Sequence, residues 1–245
     1  MNKKLLISFS ILGIAAVIAI GATVAYFSNT ETSKGNTFTA GTIDLKVGDA
    51  NIVVNGPENN VSAWEPKDLT ELNKFFDFSD LKPGDNGSDT IKIKVGTNPA
   101  WVCGEINNIV STEETLTDPE NKIQDTMDKG ELDDELYITF YRDFDCNGKK
   151  DGNDSTIVSW TLLKNVGKFA LADSLNGTAF QPDVENCISK MWCFGSVNTE
   201  TGACDGSTVT NKSQSDKLVA DIVFEAIQSR HNDNFVCVQP PQSLQ

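Results

Sequence analysis

Residues 39–47, Thr-Ala-Gly-Thr-Ile-Asp-Leu-Lys-Val, read as the entry to the first strand of a folded domain. Side chains alternate across a strand, so Ile43, Leu45 and Val47 share one face while Asp44 and Lys46 take the other. Upstream the chain has a different character. Lys3 and Lys4 precede an apolar run from Leu5 to Ile20, closed by Gly21-Ala22-Thr23-Val24-Ala25. That is the layout of a signal peptide cut after Ala25, with Thr23 and Ala25 small enough for a signal peptidase. The alternative is an uncleaved anchor, because the apolar stretch reaches roughly 20 residues when counted through Phe27.

Cleavage leaves residues 26–245, a length suited to one sandwich-sized domain, with two small domains as the alternative. The whole chain carries a net charge of −15, and losing the two leader lysines makes the exported part more acidic still. Such a surface repels nucleic acid and anionic lipid and keeps the protein soluble through self-repulsion. Neither a nucleic-acid partner nor stable membrane insertion after cleavage is expected. The six cysteines, Cys103, Cys146, Cys187, Cys193, Cys204 and Cys237, all follow the leader. An even number in an exported chain points to disulfides. Cys193–Cys204, separated by a small Gly/Asn/Thr loop, is the favoured pair; the other four stay unassigned.

Strand-like runs recur between polar turns. Asn51–Val54 follows the first strand as a second short one. Pro66, with Leu69 and Leu72 three apart, predicts a short helix opened by proline. Pro83-Gly84 marks a tight turn before a strand in which Ile91, Ile93 and Val95 alternate with Lys92 and Lys94. Ala100–Ile109 and Leu136–Tyr141 are further strands. Residues 111–134 are acidic with few apolar anchors and read as a surface excursion, with Ile123 and Met127 on one side of a short helix. Ile157–Leu163 fits a strand or a helix start. Met191–Phe194 is apolar, and in Leu218–Ile227 the residues Ala220, Ile222, Phe224 and Ala226 fall on one face. Many short strands with few helices predict an all-β sandwich with short helices in its connecting loops.

The segments Ala25–Thr32 and Asn36–Leu45 together resemble the start of the TasA/camelysin family. Leu81-Lys82-Pro83-Gly84-Asp85 is similar to that family's turn before a strand, and Ala220–Gln228 to its last strand. The resemblance implies a jelly-roll β-sandwich, exported by a dedicated signal peptidase and built into extracellular or biofilm-matrix filaments. It divides the chain into a signal peptide (1–25), an N-terminal donor-strand segment (26–40), a jelly-roll domain (41–238) and a loose tail (239–245). Donor-strand insertion places about Tyr26–Thr39 in the sheet of the next copy, anchored by Tyr26, Phe27 and Phe38, making a homopolymer. The unpaired backbone groups of that ribbon are then satisfied by β-augmentation on another copy. The plainer alternatives are a ribbon folded back on its own sandwich or left disordered, and a monomeric cell-surface binding module.

Camelysin is described as a metalloendopeptidase, which makes proteolysis the third reading. A zinc peptidase needs imidazole or carboxylate ligands and a general base, commonly as His-Glu-x-x-His. This chain has one histidine, His231, so no catalytic residue is nominated and the chain is read as a non-enzyme. Carboxylate pairs are too common in so acidic a chain to signal glycosidase chemistry.

One acidic run has metal-ligand spacing. Asp143, Asp145, Asn147, Asp151 and Asp154 take loop positions 1, 3, 5, 9 and 12, with Gly148 at the sharp turn and the Lys149 carbonyl at position 7. Calcium requires six to eight hard oxygens, and this spacing wraps them around one point. Asp154 stands where a longer bidentate Glu is usual, and a strand leads in. A structural Ca2+ is the expectation, with an ordinary acidic Asn/Gly turn as its alternative.

Overall fold

The computed structural model describes residues 28–33, 37–39, 43–56, 63–78 and 80–238. The expected leader 1–25, the anchors Tyr26 and Phe27, and the tail 239–245 lie outside the described residues. In chain order the elements are β1 (Ser28–Ser33), β2 (Thr37–Thr39), β3 (Leu45–Val54), β4 (Trp64–Lys67), β5 (Asn86–Val95) and β6 (Ala100–Glu113). After the short helix α1 (Asp118–Lys122) come β7 (Leu136–Asp143), β8 (Ser155–Leu162), β9 (Lys168–Ala172) and β10 (Asn186–Phe194). The small strands β11 (Ser196–Val197) and β12 (Cys204–Asp205) precede the long β13 (Asp216–Gln228).

These strands form a six-stranded sheet, β4-β3-β5-β10-β7-β8, and a five-stranded sheet, β2-β1-β13-β6-β9, with β11-β12 as a separate ribbon. Every pairing within the sheets is antiparallel. Alternation explains why they pack. Leu45, Val47, Ile91, Ile93, Ile138 and Ile188 on the larger sheet, and Val102, Ile106, Ile222 and Phe224 on the smaller, are buried in one continuous core. Each fully buried aliphatic contributes ~1.5–3 kcal/mol relative to exposure. Aromatic pairs bridge the layers: Phe140 of β7 stacks on Phe169 of β9 at 4.9 Å. Gly104 of β6 makes room for that packing, because a Cβ there would sit 2.5 Å from the Phe169 ring. The architecture is therefore almost all-β and sandwich-like.

The alternation of Ile43, Leu45 and Val47 with Asp44 and Lys46 holds, with the three apolar residues buried. So does the Pro83-Gly84 turn, closed by the Asp85 N–H donating to the Lys82 carbonyl at 2.8 Å with Gly84 at φ 93°. Asn51–Val54 is not a separate strand; it continues β3 through an irregularity between Ala50 and Val53. The helix expected at Pro66 is also corrected. Pro66 lies in β4, the edge of the larger sheet, where a residue without an N–H costs no ladder bond. Leu69 is buried and Leu72 is 90% exposed, so the two leucines do not share a face. Ile157–Leu163 resolves as strand β8 running into a 3-10 turn, Leu163–Asn165. Ile123 and Met127 are exposed beyond α1.

Three disulfides join Cys103 to Cys237, Cys146 to Cys187 and Cys193 to Cys204. The first fastens the segment after β13 back to β6 across 134 residues. Among the described residues no helix is long and apolar enough to cross a membrane.

Candidate functional site

The margin of the five-stranded sheet is built from the chain's N-terminal segment. β13 pairs with β6 on one side and with β1 on the other, from Ser28↔Ile227 to Ser33↔Ile222. β1 then turns back into β2, with Thr30↔Thr39 and Thr32↔Thr37 in register, and β2 is outermost. Within a single chain, residues 28–33 and 37–39 take the fold-back arrangement, paired with their own β13 and with each other. The chain returns beside its own β13, whose outer edge has no other partner among the described residues. β1 reads Ser-Asn-Thr-Glu-Thr-Ser, with no apolar residue. Its attachment therefore draws on the backbone ladder, whereas β13 is rooted by Ile222, Phe224 and Ala226 in the core. Removing β1 would uncover an edge of N–H and C=O groups along 222–227, a ready template for another strand.

The acidic loop after β7 is closed by its own backbone. Asp143 is buried; its Oδ2 accepts from Gly148 N–H at 2.8 Å and from Ser189 Oγ at 2.7 Å, and its Oδ1 accepts from Asn147 N–H at 3.2 Å. Asp145 accepts from Asn147 Nδ2 at 2.7 Å, and Asn147 Oδ1 accepts from Lys149 N–H at 2.7 Å. Asp151 accepts from Asn153 N–H at 2.6 Å, while Asp154 receives Phe144 N–H at 3.1 Å and Asp151 N–H at 2.9 Å. Asp143, Asp145 and Asn147 are thereby drawn into one turn, with Asp151 and Asp154 in the next. Cys146, at φ 57°, ties the first turn to β10 through Cys187. Glu185 lies near that sulfur pair, but disulfide sulfurs carry no thiolate to offer a metal.

A second acidic site lies inside the larger sheet. Asp49 of β3, Asp89 of β5 and Lys190 of β10 occupy inward positions among apolar neighbours, and Lys190 is wholly buried. The Lys190 ammonium contacts Asp89 Oδ2, donates to the Phe75 carbonyl at 3.2 Å and stands 4.2 Å from the centre of the Phe76 ring. Burial pushes the Lys190 ammonium down, and the neighbouring Asp49 charge opposes this. Burial pushes Asp49 up to about 7, against the attraction of Lys190. One oxygen of each carboxylate, Asp49 Oδ1 and Asp89 Oδ1, is buried without a hydrogen-bond partner. Both residues line a cleft of about 490 Å³ walled by Trp64, Lys67, Phe75 and Phe78. Sequence reading missed this site. Its only signal was polar residues in otherwise apolar inward positions of β3, β5 and β10.

His231 is exposed, at φ 65°, in the turn after β13. No curated protein and no solved structure matches this chain. A family model described as camelysin metallo-endopeptidase matches residues 1–69 of the 245. The resemblances at 81–85 and 220–228 lie beyond that span. Over its first 69 residues the chain is similar to the camelysin family, and that span takes in the edge hairpin β1–β2 together with β3 and β4.

Proposed function

We propose that this chain is a secreted structural subunit that assembles with copies of itself into extracellular or biofilm-matrix filaments. In this reading a dedicated signal peptidase frees the segment from Tyr26 onward. The ribbon then exchanges from its own β13 to the β13 of the next subunit. The observation that carries the proposal is the placement of β1: an all-polar strand near the chain start forms a full ladder on a core-rooted strand. A closed monomer and an open polymer use the same backbone bonds, which is the logic of strand exchange between identical chains. The family match supports the reading because it spans the leader region and the exchanged ribbon. The sandwich is then a jelly roll, as in that family, with residues 41–238 as its body.

The role is structural, with no catalytic residue assigned. The proposal also places a structural Ca2+ in the loop 143–154, held by Asp143, Asp145, Asn147, the Lys149 carbonyl, Asp151 and Asp154. Its support is the ligand spacing and the turn at Gly148, φ 73°.

Two experiments test the assembly. Electron microscopy of the 26–245 chain should show filaments that disappear when residues 26–39 are deleted, with the far-UV spectrum of the sandwich kept. Paired Thr30→Cys and Glu225→Cys substitutions, which face each other in register, should yield covalent multimers when oxidised in filaments. Intramolecular links alone, with no filaments at high concentration, would overturn the proposal. That outcome would favour a monomeric binding module, a reading that has the cleft above Asp49 and Asp89 in its favour.

A further inference from the structure

We propose that Glu113, Asp125 and Glu131 form a calcium site distinct from the loop 143–154. Glu113 ends β6, Asp125 lies in the turn after α1, and Glu131 precedes the 3-10 turn Leu132–Asp134. The acidic excursion therefore folds back so that three carboxylates from separate positions converge. One oxygen from each lies within 4.8 Å of the others. Calcium holds oxygens at about 2.3–2.6 Å, so two ligands across one ion stand at most about 5 Å apart. The cluster has the dimension of a single coordination sphere.

The second observation is that one oxygen of each carboxylate has no hydrogen-bond partner. Glu113 is 8% exposed and the Asp125 side chain 3% exposed. Glu113 Oε2, Asp125 Oδ2 and Glu131 Oε2 are all buried and unbonded. Other oxygens of the cluster are occupied: Thr115 N–H donates to Glu113 Oε1 at 3.1 Å, with Ser215 Oγ at 3.4 Å, and Thr126 N–H donates to Asp125 Oδ1 at 2.9 Å. Backbone N–H groups thus orient the Glu113 and Asp125 carboxylates and leave one oxygen of each free. Lys212 reaches only Asp125 Oδ1, at 3.9 Å, and its side chain is 47% exposed. Unpaired buried carboxylates are unfavourable unless a cation or a proton answers them.

Asp216, at the start of β13, supports the same conclusion. Its Oδ2 accepts from Glu131 N–H and from Leu132 N–H at 2.9 Å, while its Oδ1 is buried and unbonded. The donor set is all hard oxygen with no imidazole or thiolate, which selects calcium over zinc or copper.

The test uses the 26–245 chain stripped with chelator and titrated with CaCl2 in a calorimeter, beside thermal melts with and without calcium. The expected result is that Asp125→Asn and Glu131→Gln each lose one calcium equivalent relative to the wild type, whereas Asp145→Asn retains it. At calcium a hundredfold above Kd the wild-type Tm should rise by about 5–10 °C, and this part of the rise should vanish in both cluster variants. In chelator these variants should melt at or above the wild-type temperature, because each removes an unanswered charge, so lost binding is not lost folding. A wild type that takes up no calcium, or cluster variants that bind as many equivalents as the wild type, overturns the proposal.

Discussion

The loop 143–154 and the pocket at 113, 125 and 131 are both crowded with carboxylates, yet they stand in opposite electrostatic situations. In the loop the acidic side chains accept backbone N–H groups, and a disulfide fixes the turn. In the pocket three buried oxygens accept nothing. A local acidic motif can fold around its own amides because the donors are only two to five residues away. Carboxylates brought together from a strand end, a post-helical turn and a return loop have their nearby amides already in use. Acidic density along a chain is thus a poor guide to where charge is left unanswered. The buried trio Asp49, Asp89 and Lys190 offers a third solution, in which the chain supplies its own cation.

That third site gives the comparison its largest expected effect. Lys190→Met leaves Asp49 and Asp89 buried without their cation and should cost about 3–5 kcal/mol at neutral pH. The cost should shrink in acid, for a definite reason. Asp49 is pushed up to about 7 in the fold, against roughly 3.9 for an unfolded aspartate. In Lys190→Met the opposing Lys190 charge is gone, so burial holds Asp49 higher still. The stability its proton contributes is complete below the unfolded value and lost as pH rises through that raised folded value. Urea titrations from pH 5 to pH 8 should therefore show Lys190→Met recovering toward wild type at the acidic end. Equal stability of the two proteins at pH 8 would break the claim that a buried acid here needs an internal cation. Next in size is calcium itself. At a hundredfold excess over Kd, binding to the folded state should add about 2.7 kcal/mol. Chelation should remove that increment from the wild type and from Asp145→Asn, and take from Asp125→Asn no more than the small share of the loop 143–154.

Much of the fold was legible because periodicity reports burial directly. Ile43, Leu45 and Val47, the alternation from Ile91 to Val95, and the β13 face at Ile222, Phe224 and Ala226 were all readable from one residue in two. Pro66 misled because proline opens helices and also tolerates sheet edges, and only the pairing with β3 decides between them. Lys168–Ala172, strand β9, was passed over because five residues between turns carry too short a pattern. The sites divide along the same line. The loop 143–154 was visible as a motif since its residues are contiguous. The pocket was hidden in a stretch read as surface, because its convergence depends on tertiary return of the chain past β13. Likewise, register alone places β1 on its own β13; sequence shows that the strand pairs, not which copy it pairs with.

The smallest expected effect is the sharpest discriminator between the two acidic regions. Asp145 is exposed, and an asparagine in its place keeps an oxygen that can accept from Asn147. In chelator Asp145→Asn should therefore stay within about 0.5 kcal/mol of wild type. The loop is already closed by Gly148 and Asn147 N–H groups on Asp143 and by the Cys146–Cys187 bond, none of which this change touches. With calcium present, a loop that binds the ion should lose one equivalent and a small part of the melting shift. The shift is small because the ion adds order to a turn that holds without it. The pocket has no such reserve, so its ion should dominate the calcium dependence of the whole domain. Should Asp145→Asn instead abolish most of that dependence, the ranking inverts: self-satisfied amide bonds would prove weaker than the ion they frame, and the orphaned oxygens at 113, 125 and 131 would be answered by protons.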